Sequence, residues 1–110
     1  IDNITFMPEI KHGKSSRWLS VVLLNDKTHN QIEHIIKCFE NENIETRPIW
    51  KPMHLQPIFS GTPFYHSSLN PLSKTFFEHG LCLPSGSNLT KNDMNRIIDI
   101  LIKNINDNIG

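Results

Sequence analysis

The segment RWLSVVLL, residues 17–24, is a run of aromatic, aliphatic and β-branched residues of strand length. It shows little alternation between apolar and polar side chains, which is typical of a strand covered on both faces. The polar residues Asn25, Asp26 and Lys27 follow it and favour a turn. We therefore predict that residues 17–24 form the central strand of a small sheet.

The residues after this turn predict an amphipathic helix. Thr28 and Gln31 stand three apart, the spacing of a capping box, in which each side chain satisfies a free backbone donor of the first turn. Residues 41–43, Asn-Glu-Asn, favour its end. One apolar stripe follows the helical period: Ile32, Ile35, Ile36 and Phe39.

A second helix of this kind is predicted at the end of the chain. Thr90 and Asp93 resemble the first capping pair. The apolar positions that follow again share one helical face: Met94, Ile97, Ile98, Leu101, Ile102 and Ile105.

Between these helices the sequence predicts a short helix and a short strand. Pro71 suits the first position of a helix that runs through residues 76–78, and Gly80 is expected to end it in a left-handed conformation. Residues 81–83, Leu-Cys-Leu, then form a buried strand that Pro84 ends.

The order of these elements predicts the fold class α/β (α+β), a small sheet with helices packed on one face. Residues 1–110 are expected to form a single domain, with residues 1–16 as an irregular or edge lead-in. The expected core between sheet and helices is Trp18, Val21, Val22, Ile35, Phe39, Ile98 and Leu101.

Charge and composition exclude several kinds of partner. Eleven basic and eleven acidic residues give a formal charge of zero, so nothing favours nucleic acid or an anionic membrane. Cys38 and Cys82 lack metal-binding spacing and suit a reducing compartment. Without a long apolar run or a basic leader, we expect a cytoplasmic protein. A start at Ile1 rather than Met suggests part of a longer chain.

A proline-rich segment, RPIWKPMHLQP at residues 47–57, carries most of the polar and aromatic binding groups. Three prolines forbid a regular helix there, so we expect an extended segment, within a long loop over residues 50–70. Such loops often carry function on a rigid scaffold. The alternative is a connector that covers a core edge with Trp50 and Met53.

Motifs for chemistry are scarce. His29 and Glu33 stand four apart on a helix and could share a cation, but no second histidine has the required spacing, so no metal site is expected. No nucleophile elbow or phosphate-binding loop occurs. We therefore assign no catalytic residue to this chain.

Two long motifs resemble the DegT/StrS family of pyridoxal-phosphate sugar aminotransferases. They are IETRPIWKPMHLQP, residues 44–57, and FEHGLCLPSGSNLT, residues 77–90, followed by an isoleucine-rich helix. SRWLS, residues 16–20, fits the same pattern, so the resemblance covers residues 16–105. It is strongest to the branch that aminates UDP-linked 4-keto-6-deoxy sugars of the bacillosamine type.

The resemblance implies the carboxy-terminal small domain of a fold-type I aminotransferase, active as a homodimer in polysaccharide or glycan biosynthesis. The family's Schiff-base lysine and its cofactor-binding residues belong to a large domain with no counterpart here. Lys51 is no substitute, because it belongs to the W-K-P motif itself. The chain alone is therefore expected to bind no pyridoxal phosphate and to be inactive.

The resemblance also implies a role for the proline-rich segment in substrate binding. Arg47 or Lys51 could bind a diphosphate or carboxylate, and His54 and Gln56 could hydrogen-bond sugar or uracil groups. Arg47 could instead form a structural ion pair with Glu45 or with a neighbouring domain, while Trp50 and Met53 are interpreted as packing residues.

Two other classes of function are open at this point. A stand-alone ligand-binding or interaction module could use the same fold and loop without chemistry. A small hydrolase is the third class, and it lacks a nucleophile motif.

Overall fold

The computed structural model describes residues 3–67 and 69–106. Residues 1 and 2 of the predicted lead-in, Ser68 of the predicted loop and the last four residues lie outside the described part. The described strands are β1 (Ile4–Phe6), β2 (Ser20–Leu24), β3 (Arg47–Pro48) and β4 (Gly80–Leu83). The helices are α1 (His29–Asn41), α2 (Leu72–His79) and α3 (Lys91–Asn106).

The strands form one antiparallel sheet in the order β1-β2-β4-β3. The prediction of a small α+β domain is therefore confirmed. β2 pairs with both β1 and β4, which confirms it as a central strand. β1, within the predicted irregular or edge lead-in, is an edge strand with Ile4 opposite Leu24.

The strand β2 begins later than predicted, and this changes the position of Trp18. Arg17 has a φ of 52°, a left-handed conformation that takes the chain out of the strand direction. The side chain of Trp18 is 75% exposed, so its assignment to the core was wrong. The strand proper starts at Ser20.

The core lies between one face of the sheet and the helices α1 and α3. Val22 and Leu81 are opposite each other in the register and therefore point to this face. Val21, on the alternate side, is only half-buried. The core cluster consists of Val22, Leu24, Ile32, Ile35, Phe39, Leu81, Leu83, Ile97, Leu101 and Ile105.

Both predicted helix starts are confirmed. The backbone N–H of Thr28 donates to Oε1 of Gln31 at 2.8 Å. The backbone N–H of Thr90 donates to a carboxylate oxygen of Asp93 at 2.9 Å, and the Thr90 hydroxyl donates to the same oxygen at 2.7 Å. These bonds satisfy donors that the first helical turn leaves free.

Only part of the apolar stripe of α3 is buried against the rest of the chain. Ile97, Leu101 and Ile105 are buried, whereas Ile98 is 44% exposed. The assignment of Ile98 to the core was therefore wrong. Ile98 lies beside β1, where it helps to line a groove of about 230 Å³.

Gly80 is required by close packing and not by a left-handed turn. Its φ of −123° and ψ of 157° are those of a strand, so the predicted left-handed stop was wrong. Gly80 is already the first residue of β4. A Cβ atom there would lie 2.3 Å from Cδ1 of Ile49 and 2.7 Å from the carbonyl oxygen of Phe76. The end of α2, β4 and the start of the loop therefore meet at this glycine.

No helix in residues 3–67 and 69–106 combines the length and apolarity that crossing a bilayer requires.

Candidate functional site

The proline-rich segment forms a compact loop between β3 and α2. Two 3₁₀ turns occupy it, Met53–Leu55 and Pro57–Phe59. The fully extended course that the prolines predicted was therefore wrong. Short 3₁₀ turns tolerate proline at their start because the first residues of a turn need no backbone donor. The turns place successive side chains in different directions and so fix where each binding group points.

His54 lies on the first of these turns and is held by aromatic stacking. Its ring stacks on Phe64, with centroids 3.8 Å apart and planes 14° apart. Phe64 in turn lies 5.2 Å from the ring of His66. No sequence pattern predicts this stack, because Phe64 is ten residues away in a loop without periodicity.

The Nε2 atom of His54 is buried and has no hydrogen-bond partner among the described residues. A buried polar atom without a partner is unfavourable by about 1–3 kcal/mol. Nδ1 of His29 and Oγ1 of Thr46 have the same status, and in native structures such atoms are explained by local strain, a functional role, or completion by water or an ion. His54 is thus a rigidly oriented imidazole with one nitrogen in need of a partner.

Lys51 lies just before this turn and is exposed. Its Nζ lies over the ring of Phe77, 5.9 Å from the centroid, within cation–π range. Phe77 also contacts the ring of His29, with centroids 4.8 Å apart. The ammonium group is therefore placed at the surface between the loop and the start of α1.

Gln56 stabilises the loop itself. Its Nε2 donates a hydrogen bond to the carbonyl oxygen of Lys51 at 3.2 Å. The bond joins the two ends of the segment that contains His54 and holds the backbone of Lys51. Its predicted role in substrate binding would involve the remaining atoms of the amide.

Arg47 lies apart from these three residues, on β3. Its Nε donates to Oε1 of Glu45 at 2.7 Å, which is the ion pair considered as the alternative to substrate binding. Both side chains are more than two-thirds exposed, so the pair contributes little to stability.

Arg47 also lines an open cleft of about 500 Å³ beside the end of β4 and the start of α3. Arg96 and Asp93 line the same cleft. The hydrogen bonds from Thr90, and then the charge of Arg96, hold the pKa of Asp93 below its ordinary value. The cleft therefore contains both signs of charge.

Two tryptophans that the sequence assigned to packing lie exposed together. The rings of Trp18 and Trp50 are 6.0 Å apart at 34°, and Trp50 is 64% exposed. Met53 is exposed as well. The alternative in which Trp50 and Met53 cover a core edge of this domain was therefore wrong. Sequence alone could not pair two residues separated by more than thirty positions.

The described residues contain no group of three His, Cys, Asp or Glu side chains that could hold a metal ion. His29 and Glu33 do meet, with 3.7 Å between Nε2 and Oε1.

Comparison with known proteins gives a family match. Residues 1–102 match the model of the DegT/DnrJ/EryC1/StrS aminotransferase family. "Putative pyridoxal phosphate-dependent aminotransferase EpsN" of Bacillus subtilis (strain 168) is 40% identical over 103 residues, which are 93% of this chain and 26% of EpsN. GDP-perosamine synthase of Caulobacter vibrioides is 30% identical over 91 residues, 81% of this chain and 23% of that protein.

Solved structures show the same fold. "Putative sugar aminotransferase Spr1654" from Streptococcus pneumoniae, in its PMP-form, superposes with a TM-score of 0.79 at 20% identity, covering 94% of this chain and 26% of that one. The aminotransferase TlmJ from Streptoalloteichus hindustanus gives a TM-score of 0.73 at 20% identity, covering 96% and 27%. The chain thus spans about a quarter of the length of the proteins that it matches.

Proposed function

The chain belongs to the DegT/DnrJ/EryC1/StrS aminotransferase family, and we propose that it is the carboxy-terminal small domain of a pyridoxal-phosphate-dependent sugar aminotransferase. The match spans almost all of this chain but only about a quarter of EpsN. The remaining three quarters would include the large domain that holds the cofactor. The full-length protein is proposed to act as a homodimer in the cytoplasm.

The proposed substrate is a nucleotide-linked 4-keto-6-deoxy sugar, in particular a UDP-linked one, used for cell-surface polysaccharide or glycan synthesis. Support comes from the motifs at residues 44–57 and 77–90 and from the likeness to a GDP-perosamine synthase. Glutamate is the proposed amino donor, by analogy with the family.

Neither Lys51 nor Lys74 is placed to hold the cofactor. Pyridoxal phosphate supplies an electron sink and a carrier for the amino group, and it requires a lysine aimed at its aldehyde carbon. Lys51 instead lies over the face of Phe77. Lys74 faces Glu78, with 3.7 Å between Nζ and Oε1. The small domain is thus proposed to bind substrate and to leave cofactor chemistry to the large domain.

The observation that carries the substrate role is the buried, partnerless Nε2 of His54. A hydroxyl, phosphate or uracil group of the substrate would complete it once the loop opens enough to expose this nitrogen. The stack on Phe64 fixes the imidazole before the substrate arrives, so little rotamer entropy is lost on binding. Pre-organised hydrogen bonds of this kind orient a sugar for reaction at one carbon.

The other candidates would bind the charged part of the substrate. Lys51 is one turn from His54 and offers a mobile point charge for a diphosphate. Arg47 offers a planar fork for a carboxylate or phosphate if its pair with Glu45 opens. Gln56 holds the loop and contributes an amide oxygen toward the sugar or uracil.

The activity is tested on the full-length protein. With pyridoxal phosphate, glutamate and a UDP-linked 4-keto-6-deoxy sugar, mass spectrometry should detect the amino sugar nucleotide and 2-oxoglutarate in equal amounts. A full-length protein that binds the nucleotide sugar without transferring nitrogen would favour the stand-alone binding module. A DNA sequence upstream of Ile1 that encodes no lysine-bearing large domain would do the same.

A further inference from the structure

We infer that Trp18 and Trp50 form a stacking surface for the planar base of a nucleotide ligand. The inference rests on the proposed function, because it assigns one part of the proposed substrate to a surface outside the His54 stack. The two residues are the chain's only tryptophans.

The backbone holds both indoles in place. The Ser85 hydroxyl donates a hydrogen bond to the carbonyl oxygen of Trp18 at 2.6 Å. Arg17, immediately before, adopts its left-handed φ of 52° and donates its N–H to Oγ of Ser15 at 3.1 Å. Strained backbone of this kind persists where the surroundings demand it and is concentrated at binding sites.

Trp50 is fixed from the other side. Pro48 and Pro52 stand two residues before and two residues after it and restrict the backbone. Pro48 is also paired with Leu81 in the sheet. The backbone on both sides of the second indole is therefore restricted, by the sheet at Pro48 and by the ring of Pro52.

The geometry of the pair suits a flat ligand and not a filled core. The centroids are 6.0 Å apart and the planes are tilted by 34°, so the rings contact each other at an angle and leave ring faces open. In this chain, which spans about a quarter of the length of its relatives, the two residues are 75% and 64% exposed. A large aromatic surface exposed in this way marks an interaction site.

The neighbouring charges point to a nucleotide. Arg17 precedes Trp18 and Lys51 follows Trp50 in the chain, and both cations are exposed, with Nζ of Lys51 over the ring of Phe77. Arg17 has an acidic neighbour, with 3.8 Å between its Nη2 and Oε1 of Glu9, and both side chains are largely exposed. Aromatic faces flanked by basic side chains bind a base by stacking and its phosphates by charge.

The test measures the binding of UDP, GDP and pyrophosphate to the full-length protein by calorimetry. Trp18→Leu and Trp50→Leu should each weaken the nucleotide that the wild type binds by at least about fivefold, since one base–aromatic stack has about that effect. Pyrophosphate affinity should stay within twofold. Trp50→Phe, which keeps an aromatic face, should bind the nucleotide with an affinity between those of the wild type and Trp50→Leu. Ile58→Ala is the control, because Ile58 is exposed on the same loop outside the pair.

The results distinguish failure of the stacking surface from failure of the proposed aminotransferase function. Leu variants that bind the nucleotide as wild type does would overturn the stacking surface and leave the proposed function intact. Equal losses for nucleotide and pyrophosphate would also overturn it, because the base would play no part. A change in dimerisation without a change in nucleotide affinity would assign the pair to a protein interface. A wild-type protein that binds neither UDP nor GDP would overturn both proposals.

Discussion

The imidazole of His54 stacks on the ring of Phe64, with centroids 3.8 Å apart and planes only 14° apart. The stack orients an imidazole whose Nε2 is buried without a partner. In the proposed full-length aminotransferase, Phe64→Ala should therefore raise KM for the sugar substrate several-fold with a smaller effect on kcat. Phe64→Tyr, which keeps the ring, should restore most of the affinity. Steady-state kinetics with the same KM for all three proteins would show that the stack does not position His54.

The 110-residue chain by itself should form no stoichiometric adduct with pyridoxal phosphate. The reason is that the resemblance assigns the Schiff-base lysine to the large domain, while Lys51 of this chain lies over the ring of Phe77. After incubation with the cofactor and reduction by borohydride, peptide mass analysis should find at most scattered modification. One lysine labelled to a full equivalent would contradict this account of the missing large domain.

The helix α3 offers a matched pair of core and flank positions. Leu101 is 6% exposed and belongs to the core cluster, whereas Ile98 is 44% exposed. Leu101→Ala should lower the free energy of unfolding by about 2–5 kcal/mol. Ile98→Ala should cost about 1 kcal/mol or less, because most of the side chain already contacts solvent. Urea denaturation measures both, and equal losses would place Ile98 in the core after all.

Any larger residue at Gly80 should lower the stability of the chain, although the backbone angles of Gly80 are ordinary. Gly80→Ala should destabilise the chain by about 1–3 kcal/mol through overpacking against Ile49 and the Phe76 carbonyl. Adding Ile49→Ala should recover part of the loss, since it removes the nearest atom. Gly61→Ala separates overpacking from backbone strain. Gly61 has a φ of 82° and open space around it, so a loss of stability there comes from the left-handed backbone alone. A Gly80→Ala protein with wild-type stability would show that the three elements can move apart.

The sequence predicted those parts of the fold that local interactions determine. The two helix starts depend on pairs three residues apart, Thr28 with Gln31 and Thr90 with Asp93, and both are confirmed. Residues 81–83 form a buried strand, as a short apolar run bounded by Gly80 and Pro84 predicts.

The features that the sequence missed depend on contacts between distant residues. The exposure of Trp18 follows from the left-handed Arg17, which no periodicity reveals. The packing role of Gly80 depends on Ile49, thirty-one positions earlier. Ile98 shares the apolar stripe of α3, but only the sheet decides which part of a wide stripe is covered.

For the candidate site, too, the sequence indicated candidate residues but not the contacts between them. Residue type alone led to the prediction of His54 and Lys51 as binding residues, and their role stays a prediction. The stack that orients His54, and the bond by which Gln56 holds the Lys51 carbonyl, arise from the folded loop. Arg47 was grouped with them by sequence proximity, although the sheet places it beside Glu45 and a separate cleft.

The most direct test of the proposed substrate role is kcat/KM for the UDP-linked 4-keto-6-deoxy sugar in the full-length His54→Ala enzyme. Loss of one hydrogen bond between a substrate and a buried group should lower kcat/KM by about 2- to 150-fold, because such bonds contribute about 0.5–3 kcal/mol. The absorbance of bound pyridoxal phosphate should stay unchanged. Tyr65→Ala, at a neighbouring position that is 91% exposed, is the control and should keep wild-type values. An unchanged kcat/KM in His54→Ala, beside an unchanged control, would contradict the claim that this loop binds the substrate.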